Sequence, residues 1–414
     1  MLKRLIAASA LAILGVLGGV ASAQSQTLVV WSTDQLADPA TAELWNKIKA
    51  EFEAANPSVT VNYMKPTGNI SNGAVQAAIQ SNVGPDVLIT TAGIGRVAIV
   101  ANAKLVRPLT AEYDKRGWKD KIYPWLYKEL AGQFGGDIYE VPDDLEAIGI
   151  WYHKDMFNKN GWSLKGGWAA FQSTLDKIRA SGIEPIAVGV RNSTSGGHLF
   201  GSYLQAAAGR EVMGQVVSGK IPWTDPRVIK GAQNLIDGVK AGHINPKMVS
   251  LDRDAAVRLW ANKRAALFFA GPWFTEIARR VGYDLSNLGY ATIPSDLEDG
   301  SLPIGSVSQS WMVPVSSKQP ELAMKWIDFM LSDKIMRLRN EHISLPVRDV
   351  PDLKPALPVR RDAFTAAAKG IGYNPTGYIP SGAIDTYYQV IGGLIGGQVS
   401  ANDGLAQIQG KMGQ

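Results

Sequence analysis

Asp137-Ile-Tyr-Glu-Val-Pro-Asp-Asp-Leu-Glu-Ala-Ile-Gly-Ile-Trp-Tyr-His-Lys-Asp-Met-Phe157 is the stretch around which the chain is arranged. A Gly135-Gly136-Asp137 turn signal opens it. Two extended pieces follow, 137–141 and 147–152, rich in Ile, Val, Trp and Tyr. Between them stand Pro142 and three acids, Asp143, Asp144 and Glu146. Proline has no N–H to give a ladder, so a central strand is expected to break at Pro142. Extended, broken, then extended again, with acids at the break, fits a strand that crosses between two lobes over a polar cleft. A surface hairpin with solvated acids fits the local residues equally well, because short apolar runs are ambiguous.

The chain has 414 residues, which favours two lobes over one core. Apolar content of 46% and charged content of 19% are ordinary for a globular protein. The net charge is +5, and it falls to +3 without Lys3 and Arg4. That is too mild and too evenly spread to imply a nucleic-acid partner. The N-terminus reads as a secretory signal peptide over 1–23. Lys3-Arg4 is followed by an apolar run over 5–20 and a small-x-small end, Ala21-Ser22-Ala23. A membrane anchor is the other reading, and the polar Gln24-Ser25-Gln26 opposes it. The mature chain is therefore expected to be exported, periplasmic and monomeric. Cysteine is absent, which removes thiol chemistry and cysteine metal sites.

Outward from the central stretch, strands at 28–31, 59–64 and 87–90 alternate with helices beginning at Asp38-Pro39 and spanning 69–82. That order implies a parallel sheet, with ligands beyond its C-terminal strand ends. The residues there are Trp31, Asp34 and Gln35, and Thr91 and Gly93. Later segments read as a strand at 185–190, a polar Gly-rich loop from Asn192 to His198, helices at 199–208, 228–241 and 253–263, and a strand at 265–270. A helix at 274–281, strands at 288–293 and 311–315, a long helix over 320–342 and a helical tail complete the chain.

Catalytic signatures are missing. There is no G-x-S-x-G elbow, no phosphate-cradling glycine loop and no H-E-x-x-H. The four histidines, 153, 198, 243 and 342, are scattered, so neither a metal nor another cofactor is expected. Three acids within four residues match poorly the flanking pair that glycoside hydrolysis needs. Aromatic residues carry more information. Trp31, Trp151, Trp223, Trp273 and Trp311 fall at strand ends or turns, where a ring can face the C–H side of a sugar. Core packing is the alternative for each, and Trp45, Trp260 and Trp326 are read as core. Trp31 and Trp273 are favoured as contacts because a helix follows each strand end.

At this point the residues resemble a known family, the extracellular solute-binding proteins of sugar-importing ABC systems that include maltose-binding protein. Gly136-Asp-Ile-Tyr-Glu-Val-Pro142 resembles the family's G-x-x-Y-x-x-P strand. Glu146 to Asp155 resembles its E-A-x-x-x-x-Y-N-K-D segment, with His153 in place of Asn. Trp260 to Trp273 resembles F-x-x-G-x-A-A-M-x-x-x-G-P-W, with Asn262 where glycine is common. The segments 323–331 and 345–348 resemble its late helix and loop. The resemblance implies a two-lobed, hinge-linked α/β fold of the periplasmic-binding-protein type (type II), each lobe a mostly parallel sheet flanked by helices. The first lobe would comprise 24–145 and 296–331, and the second 146–295 and 332–414. It implies capture of a sugar, mono- or oligosaccharide, between the lobes and delivery to ABC permease subunits, with no chemistry performed. Glu146 falls on a carboxylate that bonds sugar hydroxyls and Trp273 on a stacking ring. Thr91 and Gly93 fall at the first lobe's contact, which holds no acid here. Asn192 and His198 fall in the second lobe's loop, and Gln309 and Trp311 on the return segment. Trp223 is carried as a further candidate ring. Neutral polyols suit Glu146 and Asp34 as acceptors. The same fold holding a polyamine, an anion or iron (through Tyr387-Tyr388), and a secreted glycosidase, remain as alternatives.

Overall fold

The computed structural model describes residues 25–32, 39–65, 73–191, 194–340, 345–354 and 357–412. The expected signal peptide lies outside them, as do Asp34, Gln35 and Asn192.

Nine strands are present among the described residues: β1 (Gln26–Trp31), β2 (Val59–Met64), β3 (Val87–Thr91), β4 (Val141–His153), β5 (Glu184–Ala187), β6 (Ala265–Ala270), β7 (Leu288–Ala291), β8 (Ile304–Met312) and β9 (Gly372–Tyr373). They run in the order β2-β1-β3-β8-β4-β6-β5, with β7 on β4 and β9 on β8. The β2-β1-β3 ladders and the β5-β6 ladder are parallel, as strand–helix–strand connections require. The ladders that β4 makes with β6, β7 and β8 are antiparallel, as is β3 with β8. The result is a mixed α/β fold in which returning strands stitch two parallel units together.

β4 belongs to both units. Its first half, from Val141 to Ile148, pairs with β8. Its second half, from Gly149, pairs with β6 on one side and β7 on the other. The strand is not broken at Pro142. It runs through the proline, opposite Ser310, and absorbs the missing donor as a bulge between Pro142 and Leu145. Two contacts repair the faulted ladder. The Gln309 amide donates to Asp144 Oδ1 (3.0 Å), and the Leu145 amide donates to the Leu345 carbonyl (3.1 Å).

The three acids of the stretch therefore do different work. Asp143 is buried and receives both terminal nitrogens of Arg339 and the Trp311 indole N–H (2.6 Å). The Arg339 guanidinium also lies 5.3 Å from the Trp45 ring centre. Trp311 in turn packs edge-on against Trp45 (6.2 Å) and Trp326 (6.0 Å). Lys334 pairs with Glu51, Arg339 lies over Trp45, and the Tyr123 amide donates to the Val347 carbonyl (2.7 Å), so 333–340 and 345–350 pack with the first unit.

Two sequence expectations change for physical reasons. The helix expected over 320–342 is two, Pro320–Met330 and Asp333–Asn340. Ser332 turns its hydroxyl onto the Phe329 carbonyl (2.6 Å), and Arg348 takes the freed Leu331 carbonyl (3.0 Å). The Gly-rich loop before Leu199 is instead the first turn of a helix, Thr194–Ala208. Its glycines serve close packing, since a Cβ on Gly197 would stand 3.1–3.3 Å from Thr376, Tyr388 and Tyr387. In the turn before β6 the left-handed residue is Lys263 (φ 59°), one position after Asn262.

Removing Asp143 would leave the Arg339 charge buried without its carboxylate. Asp143→Ala is expected to destabilise the chain by about 3–5 kcal/mol. The double variant Asp143→Leu/Arg339→Leu is expected to lose less than Asp143→Ala alone, as read by urea unfolding.

Candidate functional site

A cleft of about 240 Å³ opens where the two units meet. The first unit contributes Thr91 and Ala92 from the end of β3, and Arg96 from the helix Ile94–Asn102. The crossing strands contribute Glu146 from β4, and Ser306, Val307 and Ser308 from β8. The second unit supplies Thr194 and His198 from the first turns of the helix Thr194–Ala208, and Trp273 from the turn after β6. Asn374, Thr376 and Gly377, beside the short helix Pro375–Tyr378, complete the lining. Two larger grooves, of about 520 and 640 Å³, are lined only by residues of 154–287 and so draw on one side of the crossing.

Glu146 is the centre of this cleft. Its Oε2 accepts from Asn374 Nδ2 (2.8 Å), and its Oε1 lies 3.8 Å from His198 Nε2. Burial pushes the carboxyl upward, opposed by the Asn374 bond and the Arg96 charge. The His198 ring is 5.7 Å from Trp273, tilted by 47°. Burial lowers the His198 pKa to about 4, and the nearby Arg253 charge acts in the same direction. The imidazole is therefore neutral at physiological pH and presents one donor and one acceptor. The arrangement gives a half-buried indole, a carboxyl group, an imidazole, an amide, hydroxyls and one guanidinium around a small space. Among the described residues no group of three or more His, Cys, Asp or Glu is placed to hold a metal ion.

The floor of the cleft depends on backbone proximity. Gly93 has φ 103°, and a Cβ there would stand 2.2 Å from the Gly377 carbonyl oxygen. A Cβ on Gly95 would stand 2.5 Å from the Ile379 oxygen. Glycine at both positions lets the helix Ile94–Asn102 lie directly on the 375–379 segment.

The description of the bacterial extracellular solute-binding proteins matches residues 37–337. The chain belongs to that family. An uncharacterized ABC transporter extracellular-binding protein of Pyrococcus horikoshii is 24% identical over 331 residues, 78% of this solute-binding protein and 69% of the relative. Among solved structures, a chitin oligosaccharide binding protein superposes with a TM-score of 0.74 at 22% identity, covering 93% of this chain and 97% of the other. The GacH receptor of Streptomyces glaucescens, solved unliganded and with acarbose, gives 0.71 at 18% identity, with coverage of 93% and 97%. These likenesses establish a two-lobed solute-binding fold.

Of the residues singled out from the sequence, the cleft of this solute-binding protein brings together Thr91, Glu146, His198 and Trp273. Gly93 sits beneath it as a packing glycine. Gln309 is half-buried opposite Thr91 on β8, its amide spent on Asp144. Trp31 does not face the cleft. It is buried among Val75, Ile79, Leu88 and Met312. Trp311 and Trp223 are core residues, the first held by Asp143 and the second packed at 6.3 Å against Tyr387. A strand-end position does not settle which face an indole takes, and for these three it is the apolar one. Tyr387 is buried in the same core and burial raises both phenols, Tyr388 to about 12, which disfavours the tyrosinate that iron prefers. Sequence reading missed Arg96, Asn374 and Thr376. Asn374-Pro375 carried a usable signal, an N-cap followed by a first-turn proline; the Asn374 side chain does accept from the Thr376 amide.

A histidine kept neutral in the fold titrates against folding as the pH drops. The unfolded chain gains a proton near pH 6.5, and the folded ring does so only near 4. Relative to a His198→Gln variant, the native chain is expected to lose stability as pH falls from about 6.5 to about 4, by at most about 1.4 kcal/mol per pH unit. Urea unfolding of both proteins across that range checks it, and equal slopes would contradict a buried neutral ring.

Proposed function

We propose that this chain captures a sugar between its lobes and delivers it to the membrane permease of an ABC importer, performing no chemistry on it. One observation carries the reading. A half-buried indole, Trp273, and a carboxyl group held by an amide, Glu146 with Asn374, share one small cleft with His198, Thr91, Thr194 and Thr376. A sugar has an apolar C–H face and a rim of hydroxyls, and this cleft offers a ring for the first and acceptors and donors for the second. The named neighbours bind a chitin oligosaccharide in one case and acarbose in the other, which supports carbohydrate as the ligand class. The volume of about 240 Å³ lies below the ~300–1,000 Å³ of sites for drug-sized ligands, and favours a mono- or disaccharide over a long chain.

The closing bodies in this reading are divided at the crossings in β4 and β8. The first comprises 24–145 and 296–331 together with 333–340 and 345–350. The second comprises 146–295 and the chain from 357 onward. Ligand touching both favours the closed state by its differential affinity. The mature protein would act as a monomer in the periplasm after loss of the leader.

A thermal-shift screen over mono- and disaccharides finds the ligand, since a compound at ~100 times its Kd stabilises by about 2.7 kcal/mol. Trp273→Ala is then expected to weaken binding about 3- to 10-fold or more by calorimetry, from the aromatic contact and its buried area. Undiminished affinity would remove Trp273 from the site. A response to polyamines or metals alone would replace the sugar reading.

A further inference from the structure

Arg96 is the guanidinium that lines the cleft. Its Nε is enclosed and has no acceptor among the described residues. Glu146 does not supply one. Its carboxyl faces Asn374 and His198, and Arg96 acts on it only through space. Burial raises the pKa of that carboxyl, and the Asn374 bond and the Arg96 charge oppose the shift.

The surroundings add positive potential. Two helices begin at the cleft, one from each side: Ile94–Asn102, which bears Arg96 in its first turn, and the fifteen-residue Thr194–Ala208, whose Thr194 and His198 line the space. A helix N-terminus carries about half a positive charge. On the outer side the Arg253 charge reaches His198. Arg253 also lines a groove of about 270 Å³ with Arg258 and Arg280, where it pairs with Asp254 (3.3 Å), so its own charge is partly compensated. A neutral sugar would cover this field and leave the guanidinium charge poorly compensated away from water, which is costly.

We propose that the ligand is an anionic sugar whose carboxylate or phosphate is received by Arg96, while its ring meets Trp273 and its hydroxyls reach Glu146 and Asn374. This rests on the sugar reading above and departs from a neutral polyol. A guanidinium receives a carboxylate or a phosphate through paired N–H donors, a stronger contact than one with a hydroxyl.

Calorimetry on the full-length mature protein tests it, with glucuronate, galacturonate, their disaccharides, glucose 6-phosphate, and the neutral parents glucose and galactose. An anionic member is expected to bind about 10- to 100-fold more tightly than its neutral parent, less so at high salt. Arg96→Met is expected to erase that preference, and Arg96→Lys to keep part of it, with both variants folded by circular dichroism. The preference between uronate and phosphate identifies the anionic group. A neutral parent that binds as tightly as its acid, or Arg96→Met weakening both by one factor, overturns the proposal and leaves the sugar reading standing. Silence from every carbohydrate of either charge overturns both.

Discussion

A strand shared by two sheets has to satisfy its backbone twice, and β4 does so while carrying a proline and three acids. Its neighbours change at Gly149, from β8 to the pair β6 and β7. The missing donor at Pro142 is absorbed by a bulge, and side chains fill the gap. Because the strand is buried over nearly its whole length, each acid must have partners or reach the cleft. Asp143 takes Arg339 and Trp311, Asp144 takes the Gln309 backbone amide, and of the three only Glu146 lines the cleft. The division of labour follows from the two-residue alternation of a strand, interrupted by two register shifts between Pro142 and Leu145.

That arrangement explains what sequence reading could and could not recover. The turn, the β-rich run and the acids at 135–157 allowed a crossing strand and a surface hairpin equally, and the pairing of β4 with β8, β6 and β7 decides for the crossing. The parallel units were legible from the alternation of strand and helix patterns. Trp273 was favoured by its position between a strand end and a helix, Glu146 through family resemblance, and both line one cleft. The indoles were not legible. Trp31, Trp223 and Trp311 occupy the same kind of strand-end or turn position as Trp273, yet only packing partners distant in sequence determine which way each ring turns. Trp311 faces inward because Asp143 and Trp326 wait there. The glycines at 196 and 197 misled for a related reason. They read as a loop, whereas the fold uses them to bring a helix against Tyr387 and Thr376. Arg96 and Asn374 are 278 residues apart in sequence. No local pattern joins them.

The polarity of the cleft is set by burial as much as by composition. Burial moves the Glu146 carboxyl upward and the His198 imidazole downward to about 4, so the imidazole is a neutral hydrogen-bonding group. Arg96 brings a guanidinium to the same space, and the two helix termini that open beside it share its sign.

The seam between the helix at 94–102 and the chain at 375–379 is made of main-chain atoms. Gly93 and Gly95 meet the Gly377 and Ile379 carbonyls, and no side chain intervenes. A seam of that kind does not draw on the side chains that line the cleft. The side chains of Arg96, His198 and Trp273 take no part in that contact, so a substitution that alters the chemistry of the cleft at those positions leaves the main-chain seam in place.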